Sequence, residues 1–279
     1  QMNNLSRIIS YSLIFALAIS CGNGGRKANG SKRHSFPLER EQNLSNYLGM
    51  LLSMPDLDEA RRDIDRQMAK IEASGDTASF RSVLRLMSHY LYDPNSPMRD
   101  EDIYQVVAER ASRSKLVDST MYARYALEAR MAGLNRRGTR VNDFVFEDES
   151  GHRQKLCSIP EEYIVLFFSN PGCPACKAIK EQLTGDQHIL MLQASGKLAI
   201  VNIYIDSDIE EWRKYCSEYP RTWYNGFDPS FTIRRDRLFS VRAIPSLYLL
   251  DGDRKVLAKD LPPERLFPLL SLIPEQTAR

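Results

Sequence analysis

Hydrophobic residues in the first half of the chain recur every three or four positions, the spacing of one face of an α-helix. Two prolines within residues 92–97 interrupt the pattern, because a proline inside a helix removes a backbone hydrogen bond. Asp56 with Glu59 is a typical helix start, and Gly133 or Gly138 is a suitable end. The stripes are Leu57, Ala60, Ile64, Met68, Ile71; Phe80, Val83, Leu84, Met87, Leu91; Ile103, Val106, Val107, Ala111; and Met121, Tyr125, Leu127, Met131. They predict an all-α region.

From Val141 onward, the hydrophobic residues form alternating or continuous runs that are typical of strands. The predicted strands are Asp143–Phe146, Lys155–Leu156, Tyr163–Phe168, Leu198–Ile205, Ser246–Leu250 and Lys255–Ala258. The predicted helices are Cys173–Leu183, Glu210–Tyr215 and Pro262–Leu272. After a first short hairpin, the order is strand, helix, strand, helix, strand, strand, helix. Strands that alternate with helices predict a mixed α/β sheet.

Composition narrows the class of protein without deciding it. The 279 residues suffice for about two domains of ~150 residues each. Lys and Arg number 38 and Asp and Glu 36, so the net charge of +2 argues against a nucleic-acid binder. A hydrophobic fraction of 43% and a charged fraction of 27% argue against a disordered chain or a multi-span membrane protein.

The N-terminus has the features of an export signal. Arg7 precedes the apolar run Ile8–Ile19, which ends in small residues and Cys21. This run is shorter than the ~20 residues that a spanning helix needs. The Leu-Ala-Ile-Ser-Cys ending resembles a bacterial lipoprotein box, in which the cysteine carries acyl chains that anchor the protein. The alternative is an ordinary cleaved signal with an incidental cysteine.

The N-terminal segments therefore predict a location in the cell envelope. Residues 1–20 are interpreted as a lipoprotein signal peptide and residues 21–37 as a flexible, Gly-rich tether. Acylation at Cys21 would bind the protein to the membrane, and we expect the periplasmic face of the outer membrane. Export also places the protein where disulfide chemistry is possible.

Cys173-Pro174-Ala175-Cys176 lies where the first long strand meets a predicted helix. A cysteine at a helix N-terminus faces unpaired N–H groups that stabilise a thiolate. Two intervening residues place both sulfurs on one helical turn, so Cys173 can attack a disulfide and Cys176 can resolve the product. No second C-x-x-C motif or histidine pair completes a zinc site, so we expect no metal.

Pro245 opens the third long strand, about seventy residues later. X-Pro bonds are where cis peptides occur, and a cis bond here would turn the Ile244 backbone outward beside the thiols. A substrate peptide would then pair with Ile244 as an added strand. The alternative is a proline that simply begins a strand.

With these motifs, the sequence resembles thioredoxin-like thiol–disulfide oxidoreductase lipoproteins that carry an N-terminal helical domain of unknown function. The similar segments are Tyr92–Arg99, Gly138, Asp143-Phe144, Phe167–Cys173, Asp206, Trp212, Trp223, Asp228 and Ala243–Asp251. The resemblance implies an all-α helical domain (38–137) followed by an α/β thioredoxin fold (138–279), a mixed central sheet flanked by helices.

The resemblance also implies roles for individual residues. Cys173 is the implied nucleophile, Cys176 the resolving thiol and Pro245 the cis-proline, with Ile244 beside it in substrate binding. The redox-active Cys173–Cys176 disulfide replaces any cofactor. The implied partners are disulfide-containing exported proteins and a membrane or periplasmic thiol electron donor, but no nucleic acid. The direction leans towards reduction, since Ile244 before the proline is shared by reductants, although Pro174 is shared by strong oxidants.

Several positions depart from the thioredoxin pattern. Gly172 replaces a tryptophan, and Phe167 replaces a buried aspartate that is thought to move protons for the resolving thiol. Ile179 replaces a glutamate found in some cytochrome-maturation relatives. The proton acceptor for Cys176 is thus unassigned, with Glu181 either a candidate or an exposed helix charge.

Other interpretations stay open from the sequence. A thiol peroxidase is disfavoured, because Leu166 and Asn170 stand where such enzymes place proline and threonine. A non-enzymatic lipoprotein, whose helical half binds a partner on a thioredoxin scaffold, is the other alternative. Cys157 and Cys216 are expected to be buried, inert thiols, with a disulfide between them as the alternative.

Overall fold

The computed structural model describes residues 41–275, so the predicted signal peptide, the tether and Cys21 lie outside the described residues. Its first half is helical, as predicted. The helices are α1 (Glu41–Leu52), α2 (Leu57–Ala73), α3 (Thr77–Leu91), α4 (Glu101–Ala111) and α5 (Ser119–Ala132). Between residues 41 and 275, no helix combines the length and apolar character that crossing a membrane requires.

Aspartates begin four of these helices. Each accepts hydrogen bonds from backbone N–H groups of the first turn, which satisfies donors that have no partner within the helix. The four N-cap residues are Asp56, Asp76, Asp100 and Asp118. The predicted start at Asp56 is therefore confirmed.

The predicted hydrophobic stripes form the core of this half, with one correction in α5. Leu127 was expected to face inward, but it is 46% exposed. The buried residues of α5 are Tyr125, as predicted, together with Ala129 and Ala132, which the stripe did not include. The small alanines let α5 pack closely against α4. The prediction counted only bulky hydrophobic residues, and it therefore assigned part of the inner face of this helix wrongly.

The second half is one seven-stranded mixed sheet, and the predicted fold class is confirmed. The strands are β1 (Val145–Glu147), β2 (Arg153–Lys155), β3 (Tyr163–Phe168), β4 (Leu198–Tyr204), β5 (Tyr224–Phe227), β6 (Ser246–Leu250) and β7 (Val256–Lys259). Their order across the sheet is β2-β1-β5-β4-β3-β6-β7. Strands β3, β4 and β5 are parallel, whereas β6 is antiparallel to β3, with Phe168 opposite Ser246.

Both faces of the central strand β3 are covered, which explains its continuous hydrophobic run. The helices of this half are α6 (Pro174–Gly185), α7 (Gln187–Ala194), α8 (Ile209–Tyr215), α9 (Thr232–Arg235) and α10 (Pro263–Leu270). Tyr163, Val165 and Phe167 pack on one face with residues of α6, α7 and α10. Ile164, Leu166 and Phe168 pack on the other, so every residue of β3 is buried.

Two α-helices and one strand of the sheet half were not predicted: α7, α9 and β5. Strand β5 reads Tyr-Asn-Gly-Phe, which lacks a hydrophobic run, and its Gly226 lies so close to Phe146 and Glu147 that a side chain would clash. Two predicted helix starts also shift by one residue, since Cys173 and Pro262 are N-caps of α6 and α10. Proline suits the position just inside each helix, because its missing N–H has no partner there.

Candidate functional site

The two cysteines of the C-x-x-C motif form a disulfide at the N-terminus of α6. Their Cα atoms are 5.2 Å apart, so one helical turn carries both sulfurs. Four residues separate Cys173 from the end of the central strand β3, and this short connection fixes the disulfide at one edge of the sheet. The structure thus brings together the cysteine pair that the sequence singled out.

The environments of the two sulfurs differ. Cys173 is partly exposed, and Pro174 and Ala175 beside it are exposed, whereas Cys176 is 1% exposed. The Cys176 backbone N–H donates to the Cys173 Sγ at 3.2 Å. The first turn of α6 contains no acidic residue. Once reduced, this arrangement would leave Cys173 accessible and favour its thiolate through the helix dipole.

The segment before β6 lies at the same edge of the sheet. The Ile244–Pro245 peptide bond is cis, the conformation that the resemblance implies for Pro245. Ser246, the next residue, pairs with Phe168 at the end of β3. Ile244 and Cys173 are both partly buried against the same hydrophobic cluster. The predicted site residues Cys173, Cys176, Ile244 and Pro245 are therefore collected in one region.

The departures from the thioredoxin pattern have visible consequences. Gly172 has a φ of +68°, a backbone conformation that disfavours a tryptophan at this position. Phe167 and Ile179 are buried in the cluster that contains Cys176, so the resolving cysteine faces an apolar surrounding. Glu181 is 63% exposed and pairs with Lys177 at 3.8 Å. Its position agrees with the interpretation as a surface charge.

A polar group that the sequence analysis did not single out lies at the end of β3. The Ser169 hydroxyl donates to Asn202 Oδ1 at 2.5 Å and lies 3.0 Å from the Tyr219 hydroxyl. Lys180 of α6 reaches the same place, with its Nζ 5.2 Å from the centre of the Tyr219 ring. Burial is the main reason that the pKa of Tyr219 is raised. The only sequence signal was a serine and an asparagine next to or within hydrophobic strands.

A second polar contact holds the loop that precedes Cys173. Asn170 donates through Nδ2 to Asp206 at 2.6 Å, and Asp206 is also paired with Arg234. Asp206 follows β4, the neighbour of β3 in the sheet. The loop is therefore attached to the adjacent strand on one side and to α6 on the other.

The remaining two cysteines are free thiols, and the alternative of a disulfide between them is wrong for this structure. Cys216 is buried, whereas Cys157 is only partly buried. Burial raises the pKa of both thiols, and nearby Asp143 adds to the effect at Cys157. Within residues 41–275, no group of three or more His, Cys, Asp or Glu side chains is placed to hold a metal ion.

The parallel core β5-β4-β3, the antiparallel β6 and β7, and a disulfide at the start of the helix after β3 together define a thioredoxin-fold protein. Comparison of the sequence with family models agrees. Residues 161–256 match the model described as thioredoxin-like, and residues 34–135 match a domain of unknown function, DUF5106.

A solved structure is similar to this protein over both halves of the chain. A crystal structure of a thioredoxin-like protein from Bacteroides caccae is 33% identical, covers 84% of this chain and 83% of its own, and superposes with a TM-score of 0.78. The chain therefore belongs to the thioredoxin-like proteins, with a domain of unknown function in front of the thioredoxin-like domain.

Two other similar proteins match only part of the chain. The C-terminal domain of an uncharacterized protein from Bacteroides fragilis is 37% identical over 49% of this chain and 98% of its own, with a TM-score of 0.48. Nucleoredoxin of Xenopus laevis is 26% identical over 106 residues, which is 38% of this chain. The match spans only 25% of that nucleoredoxin.

Proposed function

We propose that this protein is a thiol–disulfide oxidoreductase that acts on disulfides of exported proteins through Cys173 and Cys176. One observation carries the proposal: the two cysteines form a disulfide at the N-terminus of α6, with Cys173 accessible and Cys176 buried. An accessible sulfur can meet a substrate, while a buried neighbour one turn away can only react with the first.

The exchange needs two steps and conserves two electrons. The Cys173 thiolate attacks one sulfur of a substrate disulfide, which forms a mixed disulfide and releases the other substrate sulfur as a thiolate that takes a proton. Cys176 then loses its proton and attacks the Cys173 sulfur, which releases the second substrate thiol and leaves the Cys173–Cys176 disulfide. The substrate is reduced and the protein is oxidised, so no other cofactor takes part.

Ile244 and Pro245 are the proposed substrate-binding residues. Both are partly exposed, Ile244 packs beside the cluster that holds Cys173, and none of the strands described in residues 41–275 covers this segment. An extended peptide that pairs with the Ile244 backbone would bring its disulfide to the accessible sulfur.

The proposed direction is reduction, and a membrane or periplasmic thiol would restore the dithiol after each turnover. The proposed location follows from the N-terminal sequence alone. Acylation at Cys21 would hold the protein in the cell envelope, at the periplasmic face of the outer membrane. The alternatives of a peroxidase and of a partner-binding scaffold gain no specific support from the site.

The central test is the variant Cys173→Ser. In an assay with dithiothreitol as the electron source, we expect this variant to lose all catalysis of insulin reduction, because serine cannot form the mixed disulfide. The matched control is Cys157→Ser, which removes a partly buried thiol outside the motif and should retain full activity. Activity that survives in Cys173→Ser would disprove the proposed chemistry.

Direction is tested by a redox titration of the Cys173–Cys176 pair. We expect a reduction potential near that of thioredoxin, about −270 mV, at which the dithiol reduces most exposed disulfides. A value near about −120 mV, typical of a strong oxidant, would instead assign the protein to disulfide formation.

A further inference from the structure

The segment that leads into β6 is held by the helical half of the protein. We name residues 240–246 the proline loop. Two of its side chains, Ser240 and Arg242, bind the same carboxylate oxygen, Oε1 of Glu101, at 2.8 and 2.6 Å. Glu101 is the first residue of α4, in the domain of unknown function. Nearly 140 residues of chain separate these partners, so the contact exists only in the folded protein.

Glu101 is buried and is neutralised from a third direction. Its side chain is 1% exposed, and Oε2 pairs with Lys259 Nζ at 2.8 Å. Lys259, at the end of β7, is equally buried and also donates to the backbone carbonyls of Ala132 and Leu134. A carboxylate so enclosed cannot turn away without leaving buried charges unpaired, and this fixes its position.

Arg242 also binds a second carboxylate. Its Nη2 donates to Asp260 Oδ2 at 2.8 Å, and Asp260 Oδ1 accepts from the Ser246 hydroxyl at 2.8 Å. Asp260 thus ties Ser246, at the far end of the proline loop, to Arg242 near its start. Burial lowers the pKa of Arg242, but the carboxylates of Glu101 and Asp260 outweigh it, so that the pKa is raised and the side chain stays charged.

A stack of two tyrosine rings of the helical half lies against Arg242 as well. The Arg242 guanidinium lies 4.3 Å from the centre of the Tyr92 ring, which in turn stacks on Tyr104 at 4.3 Å. Tyr92 follows α3, and Tyr104 is one turn after Glu101 in α4. The helical half therefore contacts Arg242 through both a charge and a ring.

These contacts act on one part of the proposed site and not on the other. Cys173 and Cys176 are placed by β3 and α6, whereas Ser240, Arg242 and Ser246 frame Ile244 and Pro245. A change at Glu101 would therefore loosen the surface that receives an extended peptide while leaving the sulfurs in position.

We propose that the domain of unknown function positions the proline loop for substrate, with Glu101 as the positioning residue and Tyr92 as its support. This proposal rests on the proposed function and deepens it. It gives the helical half a task in binding protein substrates: the domain sets the affinity for an extended peptide and leaves the sulfur chemistry unchanged.

The experiment compares two substrates in the full chain: insulin, which presents an extended peptide, and hydroxyethyl disulfide, which is too small to pair with the loop. For Glu101→Gln we expect the KM for insulin to rise about tenfold, because a neutral amide replaces the charged acceptor of Ser240 and Arg242, with kcat within about twofold. The rate with hydroxyethyl disulfide should stay within about twofold of wild type. Glu59→Gln, an exposed change in the first turn of α2, is the control and should match wild type for both substrates.

The outcomes separate the possibilities. An unchanged KM for insulin, or an equal loss with both substrates, would overturn the positioning role. If Glu101→Gln does not fold, Tyr92→Leu gives the test, because it removes the ring without leaving a buried charge unpaired. It should raise the KM for insulin alone, by about threefold, and an unselective or absent effect overturns the proposal. A wild-type protein that reduces neither substrate overturns the proposed function itself.

Discussion

Two helix N-termini in this protein are built from opposite kinds of residue. Helix α4 begins with three consecutive acidic residues, Asp100, Glu101 and Asp102, all at most 4% exposed. Helix α6 begins with Cys173 and has no acidic residue in its first turn. Both ends present unpaired N–H groups and the positive end of a helix dipole. The positive end of the helix dipole thus faces carboxylates in α4 and a cysteine sulfur in α6.

The difference shows how each end is used. At α4, cations from outside the helix neutralise the carboxylates. Asp100 and Asp102 bind Arg137, at the end of the helical half. Glu101 binds Arg242 and Lys259 of the sheet half, and this contact attaches the two halves. At α6, the first turn contains no carboxylate, so the positive end of the helix dipole remains available to stabilise a thiolate at Cys173. The N-terminus of α4 therefore stabilises the folded protein, whereas the N-terminus of α6 supports the proposed reaction.

The largest effect is expected when the buried ion pair at the start of α4 is broken. In Asp100→Ala, Arg137 loses two hydrogen bonds of 2.8 Å, and the Ile103 N–H loses its cap. We expect the free energy of unfolding to fall by about 3 kcal/mol, the low end for a buried pair, because Arg137 keeps Asp102. Chemical denaturation measures the change.

Asp56→Ala is the matched control, since Asp56 caps α2 from an exposed position. It should cost only about 1 kcal/mol, the usual value for an N-cap. Equal losses in the two variants would mean that the buried ion pair adds nothing, and the contrast between the two helix ends would then lose its energetic basis.

A smaller effect is expected when α6 is made to resemble α4. Ala175→Asp adds a carboxylate to the exposed first turn beside Cys173. The added negative charge opposes the thiolate, so the pH profile of Cys173 alkylation in the reduced protein should shift to higher pH. At neutral pH the alkylation rate should fall about threefold, as expected for a charge at a helix terminus.

Ala178→Asp tests whether position matters. Ala178 is also exposed but lies beyond the first turn of α6, where the helix dipole and the sulfur are farther away. It should leave the pH profile nearly unchanged. If both variants shift the profile equally, general surface charge controls the sulfur and the helix end has no special role.

Local sequence signals accounted for much of the fold. Strands β3 and β4 were predicted because an uninterrupted β-branched and aromatic run needs burial on both faces, and the C-x-x-C motif marked the disulfide between strand and helix. Short or polar elements gave no such signal, so β5 was missed and Leu127 was assigned to the wrong side of its helix. The export signal, the tether and acylation at Cys21 stay predictions.

The sequence by itself determined the long helices, the long strands and which two sulfurs meet, because those features depend on neighbours a few residues apart. It did not reveal the role of Asp100-Glu101-Asp102, which resembles any acidic, exposed helix start. Only the tertiary structure decided that these carboxylates are buried against Arg137, Arg242 and Lys259. A buried charge is stable only beside its counter-charge, and folding alone brings together partners that lie far apart in the sequence.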